Sequence, residues 1–150
     1  MNKIFKIFLF LFLPTMIFAG ASTEDIISVI NPEKKYLASI IEDEAKSQNV
    51  NVDLVIAIFL RESQFENLNP NYSNAVGIGQ ITPAAFKTGL IKSGIRNEEY
   101  LKILNDDFQG DITAMRKNEK LNIKASIGFL KWLLDYYNND IGVTTLSYNT

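Results

Sequence analysis

The chain contains no histidine and no cysteine. Ser–His and Cys–His nucleophile pairs, Cys/His zinc sites and disulfide frameworks are therefore excluded, and acid–base chemistry has to be carried by Asp, Glu, Lys or Tyr. Among these, Glu62 stands out by position. It follows Ile58 by four residues and Val55 by seven, which places it beside the apolar stripe of a helix. A carboxyl group held there loses part of its hydration, and desolvation favours the neutral form. A carboxylic acid still protonated near neutral pH is what a general acid requires. The competing reading is a Glu at a helix end beside Arg61, simply solvated or ion-paired. Glu66 is the one other acid close by in the sequence and reads as a surface loop residue.

The elements that must position Glu62 are helices. Asn51 reads as an N-cap with Asp53 in the first turn, and Val52, Val55, Ile56, Phe59 and Leu60 form the stripe of a helix that frays near Ser63. Upstream, Asn31-Pro32 reads as a cap and first-turn proline of a helix reaching about Gln48. Residues 64–82 are rich in turn formers (Asn67, Asn69, Pro70, Asn71, Ser73, Asn74, Gly77, Gly79). Their apolar members, Phe65, Leu68, Tyr72, Val76 and Ile78, predict a packed loop of the kind that carries function. Pro83 predicts a short helix to Thr88, with Gly89 helping to end it. Helices are also expected from Asn97 to Asn105 and from about Asp107 to Met115. The longest helix is expected from a cap at Asn122 through Ile123, Ile127, Leu130, Leu134 and Tyr137, and a last apolar one covers Val143–Thr150. No segment reads as a strand with paired turns. The fold class is mainly α, in one domain.

Three blocks occur in order on this scaffold. The first is Glu62-Ser63-Gln64-Phe65 followed by Ala75-Val76-Gly77-Ile78-Gly79-Gln80-Ile81-Thr82-Pro83, with Glu62 and Gln80 eighteen positions apart. The second is Asn122-Ile123 with Ser126, Phe129 and Leu130; the third is Ser147-Tyr148-Asn149. Together they resemble the soluble-type lytic transglycosylases, relatives of goose-type lysozyme, over about residues 35 to 150. The resemblance implies a lysozyme-like domain with Glu62 as the single catalytic acid and base, acting on the bond between N-acetylmuramic acid and N-acetylglucosamine and leaving a 1,6-anhydro end. It implies no metal and no cofactor. Ser63, Gly77, Gln80, Tyr148 and Asn149 become candidate substrate-binding residues. Ser63 could bond the backbone where helix passes into loop, Gly77 and Gly79 permit a close backbone approach, and Gln80 suits an acetamido group or the orientation of Glu62. The Tyr148 hydroxyl would come within reach of Glu62 or the substrate. The simpler alternatives are a loop-anchoring amide at Gln80 and core packing at Tyr148. Phe65 is expected in the core.

The chain also departs from that family. Asn74 stands where Gly is common, Gly79 where Met is usual, and Ser126 and Ser147 where Gly and Ala are usual. The sequence ends at Thr150, so the resemblance implies a domain short at its C-terminus, either truncated or with a less enclosed groove.

At the other end, Lys3 and Lys6 precede an apolar run from Ile7 to Phe18 and the small residues Ala19-Gly20-Ala21. This reads as a secretory signal peptide over 1–21, ahead of a catalytic domain over 22–150; an uncleaved membrane anchor is the alternative, though the run is short for a span. The expected location is the periplasm or cell envelope. The net charge of −2 gives no basic field for nucleic acid. The expected partners are peptidoglycan glycan strands and an envelope-spanning assembly, with no stable membrane span after cleavage. A hydrolase on the same scaffold and a truncated, non-catalytic glycan-binding relic are the other functions that fit.

Overall fold

The computed structural model describes residues 20–148; the apolar leader and Asn149 lie outside them. Eight α-helices occur among the described residues: α1 Thr23–Ile30, α2 Leu37–Ser47, α3 Val52–Ser63, α4 Pro83–Lys92, α5 Asn97–Lys102, α6 Ile112–Lys117, α7 Glu119–Tyr136 and α8 Ile141–Tyr148. A 3-10 turn, Pro32–Lys34, precedes α2, and a π-helical turn, Ile103–Asp107, extends α5. Among the described residues there is no strand; two isolated antiparallel bridges, Leu68–Gly77 and Val76–Ile81, brace the loop between α3 and α4. No helix among them is long and apolar enough to cross a membrane.

Local chemistry sets most of the helix ends. Asn51 Oδ1 accepts from Leu54 N (3.0 Å) at the start of α3. Thr82 caps α4 with Pro83 in its first turn, and Asp111 caps α6 by accepting from Thr113 N and Ala114 N, each at 2.9 Å. Asn49, Asn138 and Asn139 take left-handed backbone just beyond α2 and α7, where Asn is tolerated better than most residues.

Several boundaries differ from those the sequence predicts. Helix α1 was not expected; a capping box between Ser22 and Asp25 starts it. Asn31-Pro32 opens only the 3-10 turn. Asn118, not Asn122, caps α7, its Oδ1 accepting from Leu121 N (3.1 Å). Helix α4 runs through Gly89 to Lys92. The reason is tertiary: a Cβ at Gly89 would overlap the Ala125 carbonyl oxygen, and one at Gly128 would overlap the Gly89 carbonyl oxygen. The two glycines let the backbones of α4 and α7 touch where they cross.

The apolar residues form two clusters on either side of α7. One joins α1, α2 and α3 to α7 around Ile27, Leu37, Ile41, Ile56 and Phe59, and takes in Phe65 and Ile78 from the loop. The other joins α4, α5 and α6 to α7 around Ile81, Phe86, Leu90, Tyr100 and Met115. Each such side chain contributes about 1.5–3 kcal/mol on burial. Phe129 of α7 packs against both clusters, and the loop joining α3 to α4 passes over that seam.

Candidate functional site

Glu62 occupies the last turn of α3, which stops because Gln64 and Phe65 both adopt positive φ (54° and 64°). This reversal swings Phe65 into the core, where it is fully buried, as the sequence predicts. It also turns the chain back over the end of α3. Ser63 ties the two together: its hydroxyl lies 2.6 Å from the Ile78 carbonyl oxygen and 3.3 Å from that of Phe59.

The returning loop hangs on two buried polar side chains. Asn122 of α7 donates from Nδ2 to the carbonyls of Val76 (3.1 Å) and Arg116 (2.8 Å), and its Oδ1 accepts from Gly79 N (2.8 Å). Gly77 has φ +80°, and a side chain there would strike the Asn122 amide. Arg116 of α6 is wholly buried; its guanidinium donates to Asn74 O (2.6 Å), Ile81 O (3.2 Å) and Asn74 Oδ1 (3.0 Å). It therefore clasps both limbs of the loop through carbonyl oxygens, and burial pulls its pKa below the usual arginine value. Asn74, at φ 56°, supplies both a left-handed turn and a side-chain acceptor for that clasp.

Gln80 is part of the same frame. Its Nε2 donates to Gly77 O (2.9 Å) and its Oε1 accepts from Asn71 Nδ2 (3.3 Å), so its amide hydrogen bonds anchor the loop while the residue lines the groove. Tyr148 approaches from α8. It is buried, its hydroxyl donates to Gly79 O (3.0 Å), and its ring tilts against Phe129 with centroids 5.8 Å apart. Burial holds the phenol protonated, its pKa well above the ordinary value. The departures at Gly79 and Ser126 lie against each other: a Cβ at residue 79 would overlap Ser126 Oγ and come within 2.9 Å of the Tyr148 hydroxyl. The space left by the absent side chain is filled by Ser126 and Tyr148. Asn149 lies outside the described residues.

These elements enclose a groove of about 380 Å³ that Glu62 helps to line. Asn71, Tyr72 and Ser73 of the loop, Phe129 of α7, and Ser147 and Tyr148 of α8 are among the residues that line it. Tyr72 is wholly exposed to solvent. The Glu62 side chain is 13% exposed, and burial is the largest influence on its carboxyl group, raising the pKa above the usual glutamate value. Arg61 opposes that rise. Its Nε (3.0 Å) and Nη2 (2.7 Å) both donate to Glu62 Oε1, and its Nη1 donates to Thr145 O (3.2 Å) on α8. Both sequence readings of Glu62 thus hold at once: it is sheltered and it is ion-paired. No three acidic side chains among the described residues come together in a way that could hold a metal ion.

The sequence reading passes over Arg116, takes Asn122 for a cap and counts Tyr72 among the packed apolar residues of the loop, whereas Tyr72 stands in solvent at the groove. Nothing local marks Arg116 as buried; Asn122 was signalled by its block, whose spacing from Gln80 could have suggested a loop-holding role.

A small, mainly helical domain with a sheltered carboxyl group at the end of α3, lining a groove, has the form of a lysozyme-like domain. Residues 39–150 match the family model of the transglycosylase SLT domain, and the chain belongs to that family. A search of curated proteins and a search of solved structures each returned no match.

Proposed function

We propose that the protein is a peptidoglycan lytic transglycosylase that uses Glu62 as its only acid and base. The observation that carries this reading is the position of Glu62: a carboxyl group lining a groove, sheltered enough that burial outweighs the adjacent guanidinium in setting its proton affinity. In the proposed reaction the protonated Glu62 gives its proton to the glycosidic oxygen between N-acetylmuramic acid and N-acetylglucosamine. The C1–oxygen bond breaks, and positive charge develops at C1 of the muramic sugar. The C6 hydroxyl of that sugar closes on C1, and the Glu62 carboxylate takes the hydroxyl proton. The bond broken is replaced by the bond formed, Glu62 ends the cycle protonated, and no water is consumed. The second carboxylate of most glycosidases has no task here.

In this reading Ser63, Gly77 and Tyr148 hold the groove wall in shape, while Gln80 and Asn149 meet the sugar's polar groups. Tyr72 offers an exposed ring at the groove. Residues 1–21 serve as a signal peptide that delivers the domain to the envelope, where glycan strands, and an assembly that must cross the wall, are its partners.

Mass spectrometry of the muropeptides released from purified sacculi tests the reaction. Glycan ends one water lighter than lysozyme products are expected. Ends with the full reducing-sugar mass would replace the transglycosylase with a hydrolase, and the release of nothing would leave a binding domain.

A further inference from the structure

We propose that Arg61 is a positioning residue for Glu62: its guanidinium fixes the carboxyl group against α8 and so sets the pH window of the reaction. The inference rests on Glu62 being the proton carrier. Its basis is the way all three arms of the guanidinium are engaged. Nε and Nη2 close on the same oxygen, Glu62 Oε1, at 3.0 and 2.7 Å, while Nη1 reaches the Thr145 carbonyl at 3.2 Å. Two N–H groups on one carboxylate oxygen and a third on the Thr145 carbonyl hold that oxygen in place relative to α8. Thr145 lies one helical turn before Tyr148, whose hydroxyl bonds the loop at Gly79. Arg61 therefore ties the acid to α8, and Tyr148 ties α8 to the loop. The pair is also sheltered: the Arg61 and Glu62 side chains are 28% and 13% exposed, so its attraction is damped less than that of a surface bridge.

Arg61 lowers the proton affinity of this carboxyl group through both its hydrogen bonds and its charge. From α8 comes Tyr148, kept protonated by burial. The loop brings Tyr72, which stands in water, and α4 and α7 bring Ala85 and Phe129, which carry no charge. A group that must give a proton and then take one in the same turnover works best when neither form is overly favoured. Burial alone would hold Glu62 neutral to higher pH; Arg61 trims that effect. Because the protonated form starts the reaction, the rate falls as pH rises through the Glu62 pKa, and removal of the guanidinium moves that fall to higher pH.

The test is the pH dependence of kcat/KM on sacculi for wild type, Arg61→Gln and Arg61→Lys, with Glu62→Gln as control and thermal melts to verify folding. Arg61→Gln is expected to shift the alkaline limb upward by about one unit or more. Arg61→Lys keeps the charge but loses the fork; its limb is expected near that of wild type, with kcat lowered about tenfold. A folded Arg61→Gln variant with an unmoved limb overturns the inference, provided Glu62→Gln is inactive. If Arg61→Gln does not fold, Arg61→Lys decides: wild-type kcat overturns the positioning role. A fully active Glu62→Gln variant removes Glu62 from its role, and the inference about Arg61 goes with it.

Discussion

At Tyr148, a residue at the end of a helix holds the loop segment beside it in shape through one hydroxyl. Its hydroxyl reaches Gly79 O only because residue 79 has no side chain, and Ser126 fits into the same gap. The two departures at Gly79 and Ser126 are thus one packing solution with Tyr148. Tyr148→Phe removes a buried donor and leaves the Gly79 carbonyl without it. The expected cost is about 1–3 kcal/mol in stability, read by chemical denaturation, with a smaller fall in turnover than any change at Glu62. An unchanged denaturation midpoint would mean that the hydroxyl does not hold the loop segment.

At the scale of elements, the loop between α3 and α4 is held from behind by α6 and α7. Asn122 satisfies three buried backbone groups at once, and Arg116 clasps the two limbs of the loop. Replacing Asn122 by Ala leaves Gly79 N and the carbonyls of Val76 and Arg116 without their partner. A loss of about 3 kcal/mol or more is expected, together with faster amide exchange across residues 76–81, while α1 and α2 stay protected. Equal exchange in variant and wild type would show the loop to be held by other means. The helix that ends at Glu62 and the packed loop after it were legible in the sequence, because Asn51, the apolar stripe and the run of turn formers are local signals. The roles of Asn122 and Gly89 were not. An Asn near a helix start reads as a cap wherever its amide later points, and a glycine reads as a stop unless the helix it meets is known. Arg116 was invisible for the same reason: nothing in its neighbours along the chain shows that carbonyl groups from a distant loop will surround it.

Across the whole molecule, the groove lies over the seam between two apolar clusters that share α7 and Phe129. Helix α3 brings Glu62 from one side; the loop's second limb and α4 bring Gln80, Ile81 and Ala85 from the other. The arrangement puts the acid in a groove lined from both packed bodies. The measurement that tests this account most directly is the rate at which Glu62→Gln solubilises purified sacculi, compared with wild type at equal concentration. Retained folding is checked by a thermal melt and retained binding by co-sedimentation with the wall. The amide keeps the shape of the carboxyl group but has no proton to give, so turnover is predicted to fall at least ~100-fold while binding persists. A folded variant that clears sacculi at the wild-type rate would contradict the account.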